Sequence, residues 1–175
     1  IPKSWEVGRL SRLCALHYGK SPKEIENDDG KYPIYGTGGI VGKSNSALHS
    51  GQSMVIGRKG SIDNVSFVDS PFWAIDTTYY VEGKNVEMKW LFHRLQYEGL
   101  KKYNEASGVP SLSRGTLYNI PIQSPPKSEQ TEICIILDTV DSHISSLNNK
   151  LAQTQSLKKS LMQDLLTGKV RVQVN

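Results

Sequence analysis

The feature that most constrains this 175-residue chain is its last quarter. Residues 129–175 contain one glycine, Gly168, and no proline or aromatic residue, whereas residues 1–128 hold the other 14 glycines, all 8 prolines and all 14 aromatics. Pro125-Pro126 disfavours helix just before the change, and Ser128 is suited to cap a new one. Glu129 and Glu132 complement the positive end of its dipole, and Gly168 is a C-terminal stop. The pattern therefore predicts a single helix over 129–168, in which about 39 residues at about 1.5 Å each reach roughly 58 Å. Its apolar positions recur in 4-3-4-3 steps through Ile133, Leu137, Val140, Ile144, Leu147, Leu151, Leu161 and Leu165, with Thr154 and Lys158 interrupting. This is a heptad seam, and one seam cannot bury itself. It needs a second helix, from another copy or a partner, unless it lies on its own domain. The expected interface residues are Leu137, Val140, Ile144, Leu147, Leu151, Leu161 and Leu165.

Residues 1–128 form the expected first domain, and 169–175 a short tail. The first domain reads as short strands between turns: 32–35, 53–56, 65–68, 79–81 and 120–123. Two helices are expected, a short one over 9–16 and a longer one over 86–98 ending at Gly99. Met88, Leu91, Phe92 and Leu95 share a face of the second. The mixture predicts an α+β fold rather than alternating βαβ units.

Charge follows the same division. The net charge of +4 lies wholly in 1–128, with 16 Lys+Arg against 12 Asp+Glu, while 129–175 balance at 5 against 5. An anionic partner for the first part is compatible with this excess. No apolar run approaches the roughly 18 residues of a membrane-spanning helix. Residues 1–30 lack a basic start followed by an apolar core, so no signal peptide is expected and the setting is read as cytoplasmic. Cys14 and Cys134 lie far apart, without C-x-x-C or His pairs at ligand spacing, and are expected to be buried reduced thiols rather than metal ligands.

Several motifs fail on spacing. Gly36-Thr37-Gly38-Gly39-Ile40-Val41-Gly42-Lys43-Ser44 suggests a phosphate-cradling loop, but Thr37 stands where the first glycine is required. Ser124-Pro125-Pro126 lacks the following aromatic that an amino-methyltransferase uses to stack a flipped base, since Lys127 comes next. Asp76, Glu82 and Lys84 have the residue types of a metal-dependent nuclease, in which carboxylates hold a divalent ion and the lysine assists water. A small nuclease is thus one alternative, and a coiled-coil adaptor that binds only protein is another.

The remaining candidates are loops in which Lys and Arg stand among Gly, Ser and Thr: 35–39, 57–61, 76–78 and 107–114. Such loops suit phosphate contacts, or base-edge contacts through Arg58 and Arg114. The candidate DNA-contacting residues are Lys20, Tyr35, Thr37, Lys43, Arg58, Lys59, Ser61, Thr77, Thr78, Ser111 and Arg114.

The chain also resembles a known family. Ile1-Pro2-Lys3-Ser4-Trp5, the glycine-rich loops, Leu112-Ser113-Arg114-Gly115-Thr116-Leu117-Tyr118-Asn119-Ile120-Pro121-Ile122, Pro125-Pro126 with Glu129-Gln130, and Leu157-Lys158-Lys159-Ser160-Leu161-Met162-Gln163-Asp164-Leu165-Leu166-Thr167-Gly168 are similar to one repeat of the specificity (S) subunit of type I restriction-modification enzymes. The resemblance implies a target-recognition domain followed by a spacer helix, with double-stranded DNA and methyltransferase (M) subunits as partners. Nuclease-translocase (R) subunits are expected to join through M. It implies no catalysis and no cofactor on this chain, with S-adenosylmethionine, ATP and Mg carried by the partner subunits. Family members usually contain two such repeats whose spacer helices pair antiparallel. This chain has one, so a homodimer through the seam is expected.

Overall fold

A computed structural model describes residues 2–173, so Ile1 of the opening motif and Val174 and Asn175 of the expected tail lie outside the described residues. The order is β1 (Glu6–Arg9), α1 (Leu10–Leu13), β2 (Cys14–Tyr18), β3 (Tyr32–Gly36), β4 (Gly39–Ser44), β5 (Ser53–Gly57), β6 (Val65–Val68), β7 (Trp73–Ala74), β8 (Thr78–Gly83), α2 (Met88–Glu98), a 3-10 turn (Leu100–Tyr103), α3 (Arg114–Tyr118), β9 (Pro121–Ser124) and α4 (Lys127–Leu166). The fold is α+β, as the sequence predicts. Contacts divide it into two units after Ile133.

Three small sheets build the first unit. An antiparallel sheet has the order β2-β8-β5-β6, a second has β4-β3-β7, and β1 pairs with β9. All five residues of β5 are buried, consistent with its run of small and apolar side chains. Beyond the ladder, the buried Ser53 hydroxyl donates to the Val81 carbonyl (2.7 Å) and accepts from the Val81 amide (3.2 Å), so the hydroxyl leaves no polar backbone group orphaned there. Helix α2 packs against β5 and β6, burying Met88, Trp90, Leu91 and Leu95. Phe92 is half-buried, its ring 5.6 Å from that of Phe67. Gly99, in the left-handed region at φ 69°, ends this helix.

The expected helix over 9–16 is corrected to a single turn, because Cys14–Tyr18 pairs antiparallel with β8. A four-residue turn without a side-chain cap carries little stability of its own, and ladder pairing outweighs it. The glycine-rich stretch is a β3–β4 hairpin rather than an open loop, turning at Gly36–Gly39, where Gly39 has φ 118°.

Helix α4 starts at Lys127, and the Gln130 amide donates to the Pro126 carbonyl (3.0 Å). The second proline is thereby the first acceptor of the helix, a position in which its missing N–H costs nothing, and Ser128 falls inside the first turn. At the other end Gly168 has φ 72° and the Val170 amide reaches the Asp164 carbonyl (3.0 Å). Along the seam, Val140, Ile144, Leu147, Leu151, Leu161 and Leu165 are 42–63% exposed, and Leu137 is half-buried. No described helix is long and apolar enough to cross a membrane. Both cysteines are buried, and burial pushes the Cys14 thiol up to about 12.

Glu98 closes α2 onto the 3-10 turn, accepting from Arg94 (2.6 Å) and Tyr103 (2.7 Å) and pairing with Lys102. Burial alone would raise its pKa, but the bonds from Lys102, Tyr103 and Arg94 overcome this and hold the carboxyl at about 2. A carboxylate depressed in the folded state stabilises it above the unfolded pKa of about 4.3, and that stability disappears as pH falls toward the folded value. Wild type should therefore lose roughly 2 kcal/mol between about pH 5 and pH 2 that Glu98→Gln does not lose. Urea melts of both proteins across that range measure the difference.

Candidate nucleic-acid interface

Strand β8 pairs with both β2 and β5. Tyr18 stands opposite Tyr79 and Gly57 opposite Thr78, so the chain segments that leave these strands meet at one end of the sheet. The Thr77 carbonyl accepts from the amides of Arg58 (2.8 Å) and Lys59 (3.3 Å). The Arg58 carbonyl accepts from Leu112 (2.9 Å), Gly60 donates to Pro110 (2.8 Å), and Lys59 bridges to Ser111. Ser113 caps α3 by accepting from the Thr116 amide (3.1 Å), which sets Arg114 at the start of that helix. The Asn64 side chain donates to the Thr37 carbonyl (3.3 Å), joining the β3–β4 turn to the same region. The Lys20 amide reaches Ala74 (2.9 Å), and its carbonyl accepts from the Trp73 indole (2.8 Å).

At the centre is Tyr18, 47% exposed. The guanidinium carbon of Arg58 lies 5.5 Å from its ring centroid and that of Arg114 lies 5.1 Å from it. These are cation–π distances. Beneath it the Tyr79 ring, 5.2 Å away, is buried. Burial first, then the neighbouring Tyr18, push the Tyr79 phenol up to about 12, so it stays a neutral donor to the Leu112 carbonyl (3.2 Å). Tyr79 thus ties the Arg114 loop to the sheet.

Eight of the eleven candidate residues sit on these joined segments: Lys20, Thr37, Arg58, Lys59, Ser61, Thr77, Ser111 and Arg114. The other three are placed differently. Thr78 is fully buried and its hydroxyl donates to the Ile75 carbonyl (2.7 Å), so it shapes the turn and presents nothing outward. The Tyr35 ring packs edge-on to Phe72, 5.8 Å between centroids, beside the buried Val55, Val68 and Ala74. Lys43 pairs with Pro33 toward the end of the hairpin opposite the Thr37 turn. Tyr18 itself is absent from the sequence-based set. Its signal was an aromatic beside Gly19-Lys20, obscured once the preceding residues read as helix.

A family model for the type I restriction modification DNA specificity domain matches residues 2–155. The chain belongs to this family. It is 27% identical over 170 residues to the type I restriction enzyme EcoDI specificity subunit of Escherichia coli, covering 95% of this chain and 38% of that protein. The EcoprrI specificity subunit of the same organism is 31% identical over 88% of this chain and 38% of its own length. The HsdS subunit of Thermoanaerobacter tengcongensis has the same fold, with a TM-score of 0.72 at 19% identity over 95% of this chain and 45% of that one. The chain therefore spans about two fifths of the length of these two curated relatives.

Within this specificity domain the Pro125-Pro126…Glu129-Gln130 motif has a physical role. Gln130 is 3% exposed, and its side chain accepts from the Glu87 amide (2.8 Å) and donates to the Ser124 hydroxyl (3.1 Å) and the Pro125 carbonyl (2.9 Å). Glu129 accepts from the Trp5 indole (3.0 Å). These bonds close the first unit between its first strand, its last strand and α2. The nuclease trio, by contrast, is not assembled. Asp76 lies in the turn before β8 and Glu82 near the strand's other end, four residues beyond Thr78 and so about 13 Å from it at about 3.3 Å each. Glu82 engages His17 (3.0 Å) and Lys84 engages the Ser11 carbonyl (3.3 Å).

Gly19 tests the junction. A Cβ there would stand 2.0 Å from the Ile75 carbonyl oxygen and 2.6 Å from that of Ala74, both backbone atoms that cannot swing aside. Gly19→Ala should destabilise the domain by about 1–3 kcal/mol, read as a lower urea midpoint. Gly38→Ala, with open space at its Cβ, should change that midpoint little.

Proposed function

We propose that residues 1–128 recognise a specific sequence in double-stranded DNA, and that the long helix joins two copies of the chain and docks methyltransferase subunits, through which nuclease-translocase subunits are recruited. The observation that carries this reading is the convergence of Lys20, Arg58, Lys59 and Arg114, on loops tied down by backbone hydrogen bonds, in a chain of the specificity family. None of the four forms an ion pair with a carboxylate among the described residues. Anchored cations without internal partners leave their donors for phosphate oxygens and base edges. The chain contributes recognition and no catalytic step. S-adenosylmethionine, ATP and Mg act on the partner subunits.

The seam supports the pairing of copies. Six of its seven residues are 42–63% exposed, and fully burying a Leu or Ile side chain contributes about 1.5–3 kcal/mol. A closed pair is two-fold symmetric, so each copy presents the same loops, and the target should be an interrupted palindrome.

Light scattering at micromolar concentration should find a dimer that Leu147→Asp with Leu151→Asp converts to monomers. A monomeric wild type overturns the pairing. Methylome sequencing of a host with and without the chain should show a palindromic, interrupted motif that depends on it. An asymmetric motif formed without a second specificity protein overturns the symmetric assembly, and absence of salt-sensitive DNA binding, alone and with methyltransferase present, favours a protein-only adaptor.

A further inference from the structure

Resting on the DNA-binding reading, we propose that Tyr18 is a positioning residue that holds Arg58 and Arg114 as a paired reader of guanine, making these two side chains specificity determinants rather than general phosphate contacts.

Three observations converge on this assignment. The first is placement. Both guanidinium carbons lie over one tyrosine ring, 5.5 and 5.1 Å from its centroid, and cation–π attraction to that shared ring restrains where each fork sits. The second is unspent donors. Arg94 is engaged by Glu98 and Arg9 by Asn119, whereas neither Arg58 nor Arg114 donates a side-chain hydrogen bond among the described residues. The third is backbone fixity. Arg58 is bonded through both its amide and its carbonyl, to Thr77 (2.8 Å) and Leu112 (2.9 Å), and Arg114 opens a helix capped by Ser113. A phosphate is a diffuse target that a mobile lysine satisfies as well. A bidentate fork held in place matches the O6 and N7 acceptors of guanine in the major groove. The separation of the two guanidinium carbons cannot exceed the sum of their distances to the shared ring centre. That confines them to one or a few neighbouring base pairs, at about 3.4 Å per step. Lys20 and Lys59, exposed at the edge of the same cluster, are left to the backbone phosphates.

The test uses the full chain and a random-sequence duplex library, followed by the selected duplex made with 7-deazaguanine, which lacks the N7 acceptor. Wild type should select at least one guanine per half-site and bind the 7-deaza duplex about 5–150-fold more weakly there. Arg58→Lys and Arg114→Lys keep the charge and lose the fork. At least one should respond less to 7-deazaguanine than wild type does, with its affinity for unselected duplex and its salt slope retained. Tyr18→Phe keeps the ring and should preserve selection, whereas Tyr18→Leu should reduce it toward the level of the lysine variants. Lys59→Ala should weaken all sequences alike and flatten the salt slope by about one. Unchanged selection in both lysine variants overturns the guanine assignment and leaves the DNA-binding reading standing, as does an equal loss on every sequence. Equal selection by Tyr18→Leu and wild type overturns the positioning role. A wild type that binds no duplex at low salt overturns both this inference and the reading beneath it.

Discussion

The register of β8 is the constraint on which the rest of the recognition end depends. This strand pairs on one side with β2 and on the other with β5. In that register Tyr79 faces Tyr18, and Thr78 faces Gly57 one residue before Arg58. A slip of one residue on either side would turn every side chain of the slipped strand to the opposite face. Tyr79 would leave the core, and its bond to the Leu112 carbonyl, which anchors the Arg114 loop, would be lost. The register is held by burial on the β2 side: Leu16, Val81 and Tyr79 are each no more than 2% exposed, whereas their neighbours His17, Tyr80 and Glu82 are not buried, and exchanging the two sets would bring them to the wrong layer.

The loops above that strand gain rigidity without regular secondary structure. Thr77 supplies a carbonyl to two successive amides, and the 110–112 segment lies against Arg58–Gly60 through further backbone bonds. Preorganised loops give up little conformational freedom on binding. They can therefore carry cations without neutralising partners and still hold them at defined positions. The Glu98 cluster with Arg94, Lys102 and Tyr103, by contrast, spends its charge internally.

A second closure lies at the end of the first unit. The buried Gln130 amide satisfies three partners on two other segments, and Glu129 holds Trp5. Substituting an apolar side chain at 130 would leave the Glu87 amide without its acceptor, at a cost of about 1–3 kcal/mol. The family motif is thus explained by hydrogen-bond accounting at the root of α4, independently of DNA contact.

Much was legible along the chain because it depends on neighbours in sequence. The long helix, its start after Pro126 and its end at Gly168 follow from composition, periodicity and the proline and glycine signals. So do the strands 53–57 and 65–68, helix α2 with its stop at Gly99, and the basic, glycine-rich character of the loops. What the sequence could not disclose is pairing between distant segments. Cys14–Tyr18 reads as the continuation of a helix until β8 offers it a ladder. Thr78 and Tyr35 carry chemistry suited to contact with DNA, but tertiary packing buries Thr78 and lays the half-buried Tyr35 ring against Phe72, and Lys43 is carried to the far end of its hairpin. Tyr18, unremarkable by local pattern, acquires its place only when residues 58, 79 and 114 reach it. Local propensity and capping act over a few residues, so the sequence by itself determined the elements and the seam. Which side chains meet is decided by β register and burial, and those are properties of the whole fold.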